Sequence, residues 1–216
     1  MEEILRGAAE AFSKTGFSAT SMREVAKHTG ASLGSIYYHF ENKEAILHAI
    51  ICGNFRRVIE SAENQLAGVS DPREALETFV VNHISFFAQH LSEMRVMSHE
   101  LDTLTGAAGE EEAGLRRAYA ARARSILEEL KPDLSGDELR IATLSLFGMM
   151  NWTYRWYDTL PRSTRPEQLG KSMSRLFLDG FLAEGKAAAV GGKKVAATKK
   201  AGRAKAAGRA AGRRRR

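Results

Sequence analysis

Residues 20–43, TSMREVAKHTGASLGSIYYHFENK, constrain the fold more tightly than any other part of the chain. Two short amphipathic segments meet at Gly30. Val25 and Ala26 fall on the inner face of the first, and Ile36 on the inner face of the second. Ala26 is small where a second helix would cross steeply. Gly30 stands where the turn favours positive φ, which a residue without Cβ adopts freely. Ser21 followed by Glu24 forms a capping-box signature, and Ser32 is placed to cap the second helix. Helix, glycine turn and capped helix together predict a helix-turn-helix, whose second helix enters the DNA major groove.

The second helix divides its labour by residue type. Ser32, Leu33, Gly34 and Ser35 form the turn nearest base edges, with Leu33 suited to thymine methyls and the hydroxyls to either hydrogen-bond partner. Gly34 costs about 1 kcal/mol of helix propensity against Ala, a cost explained by close approach of the backbone to a duplex. Tyr37, Tyr38, His39 and Lys43 offer donors at phosphate height. Phe40 is expected in the core with Phe12 and Phe17.

The residues carrying this pattern extend from Ile4 through Phe12, Gly16 through Ala26, Gly30 through Phe40 and Asn42 through Glu44. Over residues 4–50 the chain resembles the N-terminal domain of the tetracycline-repressor (TetR) family of bacterial transcription regulators. That resemblance implies an all-α homodimer with an operator-binding head and a ligand-binding, dimerising body. It implies double-stranded operator DNA as partner, and DNA contacts at Thr20, Ser21, Arg23, Ser32, Leu33, Gly34, Ser35, Tyr37, Tyr38, His39 and Lys43.

Charge is distributed unevenly. Of 32 Lys and Arg, 12 lie between Lys186 and Arg216, where no acid occurs, so the first 185 residues carry 20 basic against 26 acidic groups. The basic balance belongs to a tail with no large apolar residue beyond Val190 and Val195. Such a segment buries too little to fold alone and suits sequence-blind phosphate binding. It also raises a rival reading, a nucleoid-type architectural protein whose tail dominates binding. The expected division is a head over 1–48, a helical body over 49–185 and a disordered basic tail over 186–216.

The body lacks period-2 alternation, and its helical periodicity predicts about nine helices in all. One spans Lys43 to Leu66. Asp71 with Pro72 starts the next, running to about His90, followed by one over Leu91 to Leu104. Another covers Glu110 to Leu130. Ser135 and Glu138 form a second capping box, opening a helix to about Tyr157, and the last runs from Glu167 to about Glu184.

Leu144, Leu146, Phe147, Met149 and Met150 on one of these, with Met173, Leu176, Phe177 and Phe181 on the other, exceed the needs of a single core face. They predict a four-helix dimer seam, with Gly148 and Gly180 permitting close approach. The stretch from Asn151 to Tyr157 holds four aromatics. Trp152 and Trp156, with Phe86, Phe87, Met94, Met97 and Tyr119, are expected to wall a pocket for a small hydrophobic effector. The stretch resembles a subset of TetR regulators linked to acyl- or steroid-derived coenzyme A metabolism, which implies an acyl-CoA-like effector.

Other chemistries are set aside. Gly30 to Gly34 matches Gly-x-Ser-x-Gly formally, but a nucleophile elbow requires a buried strand before its Ser, and Arg23 to His28 is a polar helix. No enzyme activity or cofactor is expected. His83, His90 and His99 do not assemble a metal site and are read as core-edge or pocket-wall residues. With one cysteine, Cys52, no internal disulfide framework exists. No signal segment or apolar run of membrane-spanning length appears, so the bacterial cytoplasm is the expected address.

Overall fold

A computed structural model of the chain describes residues 1–183; the basic tail expected over 186–216 lies outside the described residues. Nine α-helices occupy that span, with no strand among the described residues. They are α1 (Glu2–Thr15), α2 (Met22–Thr29), α3 (Leu33–His39), α4 (Lys43–Leu66), α5 (Pro72–Gln89), α6 (Leu91–Glu100), α7 (Gly106–Leu130), α8 (Gly136–Asn151) and α9 (Pro166–Phe181).

Helix starts follow local chemistry. The Ser21–Glu24 and Ser135–Glu138 capping boxes are both complete, each Ser hydroxyl accepting from the Glu backbone N–H while the Glu carboxylate accepts from the Ser N–H. Asp71 accepts from Arg73 and Glu74 N–H ahead of Pro72, and Asn42 caps α4 through the Ala45 N–H at 2.8 Å. Each such cap is worth about 1 kcal/mol.

Helices α1–α3 close around Phe12, Phe17, Val25, Ile36 and Phe40. The rings of Phe12 and Phe17 meet edge to face at 5.1 Å. Helix α4 begins in this head and continues into the body, burying Ile46, Leu47, Ile50, Ile51, Phe55 and Val58 along its length. Helices α5 to α9 complete the core. Helices α5 and α9 approach closely, for a Cβ on Gly170 would stand 2.7 Å from the Cα of Val81.

Three boundaries differ from expectation. Helix α7 starts at Gly106 rather than Glu110, following the extended Thr105, with Gly106 itself at φ 60°, a conformation glycine adopts freely. Helix α6 gives way after Glu100 to a 3₁₀ turn over Leu101–Thr103. Helix α8 stops at Asn151, and 3₁₀ turns at Trp152–Arg155 and Tyr157–Thr159 follow. One helical face cannot bury four aromatics within six residues. The tightened turn sends Tyr154 inward to His99, 3.2 Å between Oη and Nε2, and leaves Trp152 outside beneath Arg155.

Gly170 and Gly114 should respond oppositely to added bulk. Gly170→Val meets backbone on α5 and should lose about 1–3 kcal/mol. Gly114→Ala, with nothing within 4 Å of the added Cβ, should gain up to about 1 kcal/mol of helix propensity. Urea unfolding midpoints of the two variants check the pair.

Candidate functional site

The head presents α3 to solvent along most of its surface. Only Ile36 is buried in that helix, and its burial is worth about 1.5–3 kcal/mol. It anchors α3 so that Gly34, Ser35, Tyr37, Tyr38 and His39 stand outward, with Tyr38 exposed over 85 % of its surface. Ser32 lies outside, its hydroxyl accepting from the Ser35 N–H at 3.1 Å. That capping role, together with the helix before it, removes any resemblance to a nucleophile elbow. Gly30 takes φ 69° between α2 and α3. Ser21 and Arg23 are exposed at the start of α2, while Leu33 is half-buried.

Two residues expected at the DNA surface are engaged internally. Thr20 is buried, its hydroxyl donating to Gly16 O at 2.8 Å and lying 2.6 Å from the Thr15 hydroxyl. Lys43 Nζ donates to Phe17 O (3.0 Å), Ser18 O (3.3 Å) and Thr20 O (3.3 Å), and sits 4.4 Å from the Phe17 ring centroid. An ammonium carries three donors, and here all three are taken. Lys43 therefore staples the α1–α2 loop to the start of α4 rather than reaching a phosphate.

In the body, a cavity of about 370 Å³ is lined by Phe55, His83, Phe87, Met94, Met97, Tyr119, Leu144 and Phe147, with Arg116, Arg117 and Asn151 among its polar residues. Phe87, Met94, Met97 and Tyr119 line it as expected from sequence. Phe86 does not, its ring meeting Phe87 edge to face and His90 at a tilt, with centroids 5.1 and 4.7 Å away. Trp152 and Trp156 are also absent from its wall, because α8 ends before them and the 3₁₀ turn carries them away. His83, read from sequence as a core-edge or pocket-wall residue, lines it too, whereas Arg116 and Arg117 are not in the expected set. The arginines face the cavity from α7, which packs on α4 and α5 only in three dimensions.

His83 Nδ1 lies 3.2 Å from the Tyr119 hydroxyl, while its buried Nε2 has no partner among the described residues. Burial drives the His83 pKa down to about 3 and holds the Tyr119 phenol far above its ordinary range. Both groups are neutral at physiological pH, so the pair offers an uncharged polar handle in an apolar wall.

A second, polar cleft of about 500 Å³ runs between α1, α6 and the turn after α8, lined by Ser13, Arg95, His99, Glu100, Tyr154 and Arg155 among others. Its charged lining makes it a poor host for an apolar molecule, so the α4–α8 cavity is the candidate for one.

The expected dimer seam divides. Leu146, Met150 and Met173 are buried in the protomer's own core and are not available to a partner. Phe177, Phe181 and Met149 are half-buried, and Leu176 is 72 % exposed. A shallow apolar groove runs over Ala142, Met149, Leu176, Phe177 and Phe181; Ile141 is also exposed on α8, while exposed Leu144 belongs to the cavity lining.

Comparison with known proteins matches residues 4–50 to "Bacterial regulatory proteins, tetR family" and residues 69–181 to "Tetracyclin repressor-like, C-terminal domain". The chain belongs to the TetR family. The HTH-type transcriptional regulator UidR of Escherichia coli strain K12 is 30% identical over 95 residues, covering 44% of this chain and 48% of that protein. The match thus spans about half the length of that relative. A TetR-family transcriptional regulator from Bordetella parapertussis 12822 is 29% identical, with TM-score 0.78, over 86% of this chain and 97% of that one. FadR from Bacillus subtilis, in complex with stearoyl-CoA, shares the fold at 22% identity and TM-score 0.66, over 83% of this chain and 98% of that one.

The depressed His83 pKa has a pH consequence. Unfolded His83 takes up a proton near about pH 6.5, whereas the folded residue resists until about 3. The unfolded state therefore binds more protons in this window, and stability falls as pH drops through it. Relative to His83→Phe, wild-type stability should decline by about 1.4 kcal/mol per pH unit below about pH 6, read from urea melts at several pH values.

Proposed function

We propose that this TetR-family regulator binds a palindromic operator as a homodimer and acts as a repressor, released by a small hydrophobic effector. The observation that carries the reading is the bare surface of α3. One anchored face leaves two tyrosines, a histidine and a serine with no protein partner to cover them, and a major groove would cover them. On this reading residues 1–48 are the DNA-binding domain, 49–185 the effector and dimerisation domain, and the first turn of α3 meets base edges while Tyr37, Tyr38, His39 and Arg23 meet phosphates. The bacterial cytoplasm is the fitting compartment. Among the described residues no helix is long and apolar enough to cross a membrane.

Dimerisation follows from the α8–α9 face. Ile141 and Leu176, each more than 60 % exposed, are apolar area that a two-fold partner would bury, and no neighbour within 4 Å opposes approach at Gly148 or Gly180. Two heads would then stand about 34–36 Å apart, one DNA turn.

For the effector, the cavity lies near the lower end of the range of about 300–1,000 Å³ typical of small-molecule sites. It accepts an acyl portion rather than a whole coenzyme A ester. Arg116 and Arg117, both exposed, are placed to meet the anionic end at the mouth, and His83 Nε2 meets a carbonyl or hydroxyl within. The stearoyl-CoA complex of the Bacillus subtilis protein supports testing this class first. An effector favouring the form that does not bind DNA shifts the dimer by its differential affinity for the two forms.

Footprinting on the promoter region beside its own gene should protect an inverted repeat. Tyr37→Phe, by losing a hydroxyl on a phosphate worth about 1.5–3 kcal/mol, should weaken binding at least about tenfold on every sequence. Leu176→Glu should sediment as a monomer and lose the footprint. Absence of an inverted repeat, or an unchanged dimer in Leu176→Glu, overturns the reading.

In thermal-shift titrations, acyl-CoAs should raise the melting temperature, and the Arg116→Ala/Arg117→Ala double variant should lose most of that shift. A panel of short to long acyl-CoAs that leaves the temperature unmoved would sink the effector class while leaving the DNA-binding head untouched.

A further inference from the structure

His48 and Cys52 stand one turn apart on α4, and Glu111 faces them from α7. An imidazole nitrogen, the thiol sulfur and a carboxylate oxygen lie within 4.8 Å of one another, the only such trio of His, Cys, Asp or Glu among the described residues. We propose that these three side chains form a binding site for a divalent cation of the zinc class, with water as the fourth ligand.

The placement has the form such a site needs. Residues four apart share one helical face, so α4 supplies two ligands on one side and α7 closes the third. One nitrogen, one sulfur and one oxygen suit a borderline-soft ion that prefers four ligands in a tetrahedron. A hard ion such as Ca²⁺ or Mg²⁺ would want oxygens throughout.

The carboxylate is already oriented. Arg56, one turn beyond Cys52, donates to Glu111 Oε1, while Oε2 lies 2.8 Å from His48 Nε2. A cation entering between them replaces the His48–Glu111 hydrogen bond and leaves Arg56 holding the far oxygen, as a hydrogen-bonded partner steadies a ligating carboxylate. An ion pair alone accounts for Arg56, Glu111 and His48. It does not account for the chain's sole thiol, wholly buried, being set against them.

Entry comes from the side of His48 and Glu111, whose side chains keep 32 % and 36 % of their exposure. Burial raises the Cys52 thiol above its ordinary range, so the free protein holds it as S–H. As the sulfur–metal bond forms, that proton passes to solvent, because a coordinating thiol is deprotonated outright. No redox change is involved. Since α4 carries the head and α7 walls the cavity, the ion would tie the two helices at a point separate from the effector.

The test uses the untagged full-length chain under reducing, anaerobic conditions, titrated with Co²⁺ alone. One equivalent should produce a thiolate-to-cobalt charge-transfer band in the near ultraviolet and visible d–d bands of tetrahedral intensity, and added Zn²⁺ should bleach both. Cys52→Ser should abolish the charge-transfer band. His48→Ala and Glu111→Gln, both at half-exposed positions, should each weaken binding by more than about tenfold. No charge-transfer band at saturating Co²⁺ overturns the site, and so does a band whose affinity either of those two variants leaves unchanged. The readout needs neither DNA nor effector, so its failure is separable from failure of the regulator reading.

Discussion

Helix α4 belongs to two structures at once, and the molecule is organised around that double membership. Its 24 residues run about 36 Å at 1.5 Å per residue. The first two turns pack with α1 under the DNA-facing head, and the rest is enclosed by α5 and α7. Its buried residues run from Ile46 to Leu66, and the helix stays continuous through the small and polar step Cys52–Gly53–Asn54 at its middle. A tilt of α4 at the body is therefore a displacement of the head. The Lys43 ammonium fastens the α1–α2 loop to the first residue of the same helix, which makes the head follow as a unit.

This frame connects cavity and head without a special pathway. Phe55 on α4 lines the cavity, with α5, α6, α7 and α8 supplying the other walls. A molecule filling that volume would touch Phe55, on the helix that carries α1–α3. Were α4 to have a second position, a ligand would shift it only by the difference in its affinity for the two, not by how tightly it binds either. The Phe17 N–H to Glu100 contact at 3.4 Å, between head and α6, is a second tether that such a movement would have to strain or break.

Where local chemistry decides an element, the sequence could be read directly. The Ser21–Glu24 and Ser135–Glu138 boxes, Asp71 with Pro72, and Gly30 at positive φ each act within four residues, and the helices begin where these residues say. Long-range choices were less legible. Leu144 and Leu146 are equally apolar, yet one faces solvent and the other the core, a difference of two positions on α8 that only its packing partners determine. Lys43 reads as a phosphate ligand until Phe17, Ser18 and Thr20 bring three carbonyls to it from across the head. Trp152 and Trp156 were expected in a cavity wall because helix periodicity was carried through a stretch where crowding of rings ends the helix. Glu111 comes to His48 from 63 residues away, a separation over which no spacing rule operates.

The aromatic turn that ends α8 has a practical corollary. Both tryptophans of the chain lie in it, four residues apart and outside the cavity, with Trp152 largely open to water under the Arg155 guanidinium at 5.7 Å. Intrinsic indole emission from this protein is thus an optical gauge of one corner, next to the Tyr154 and Arg155 edge of the α1–α6 cleft. A colour change on adding a small molecule would register rearrangement between head and body rather than direct quenching by the molecule itself.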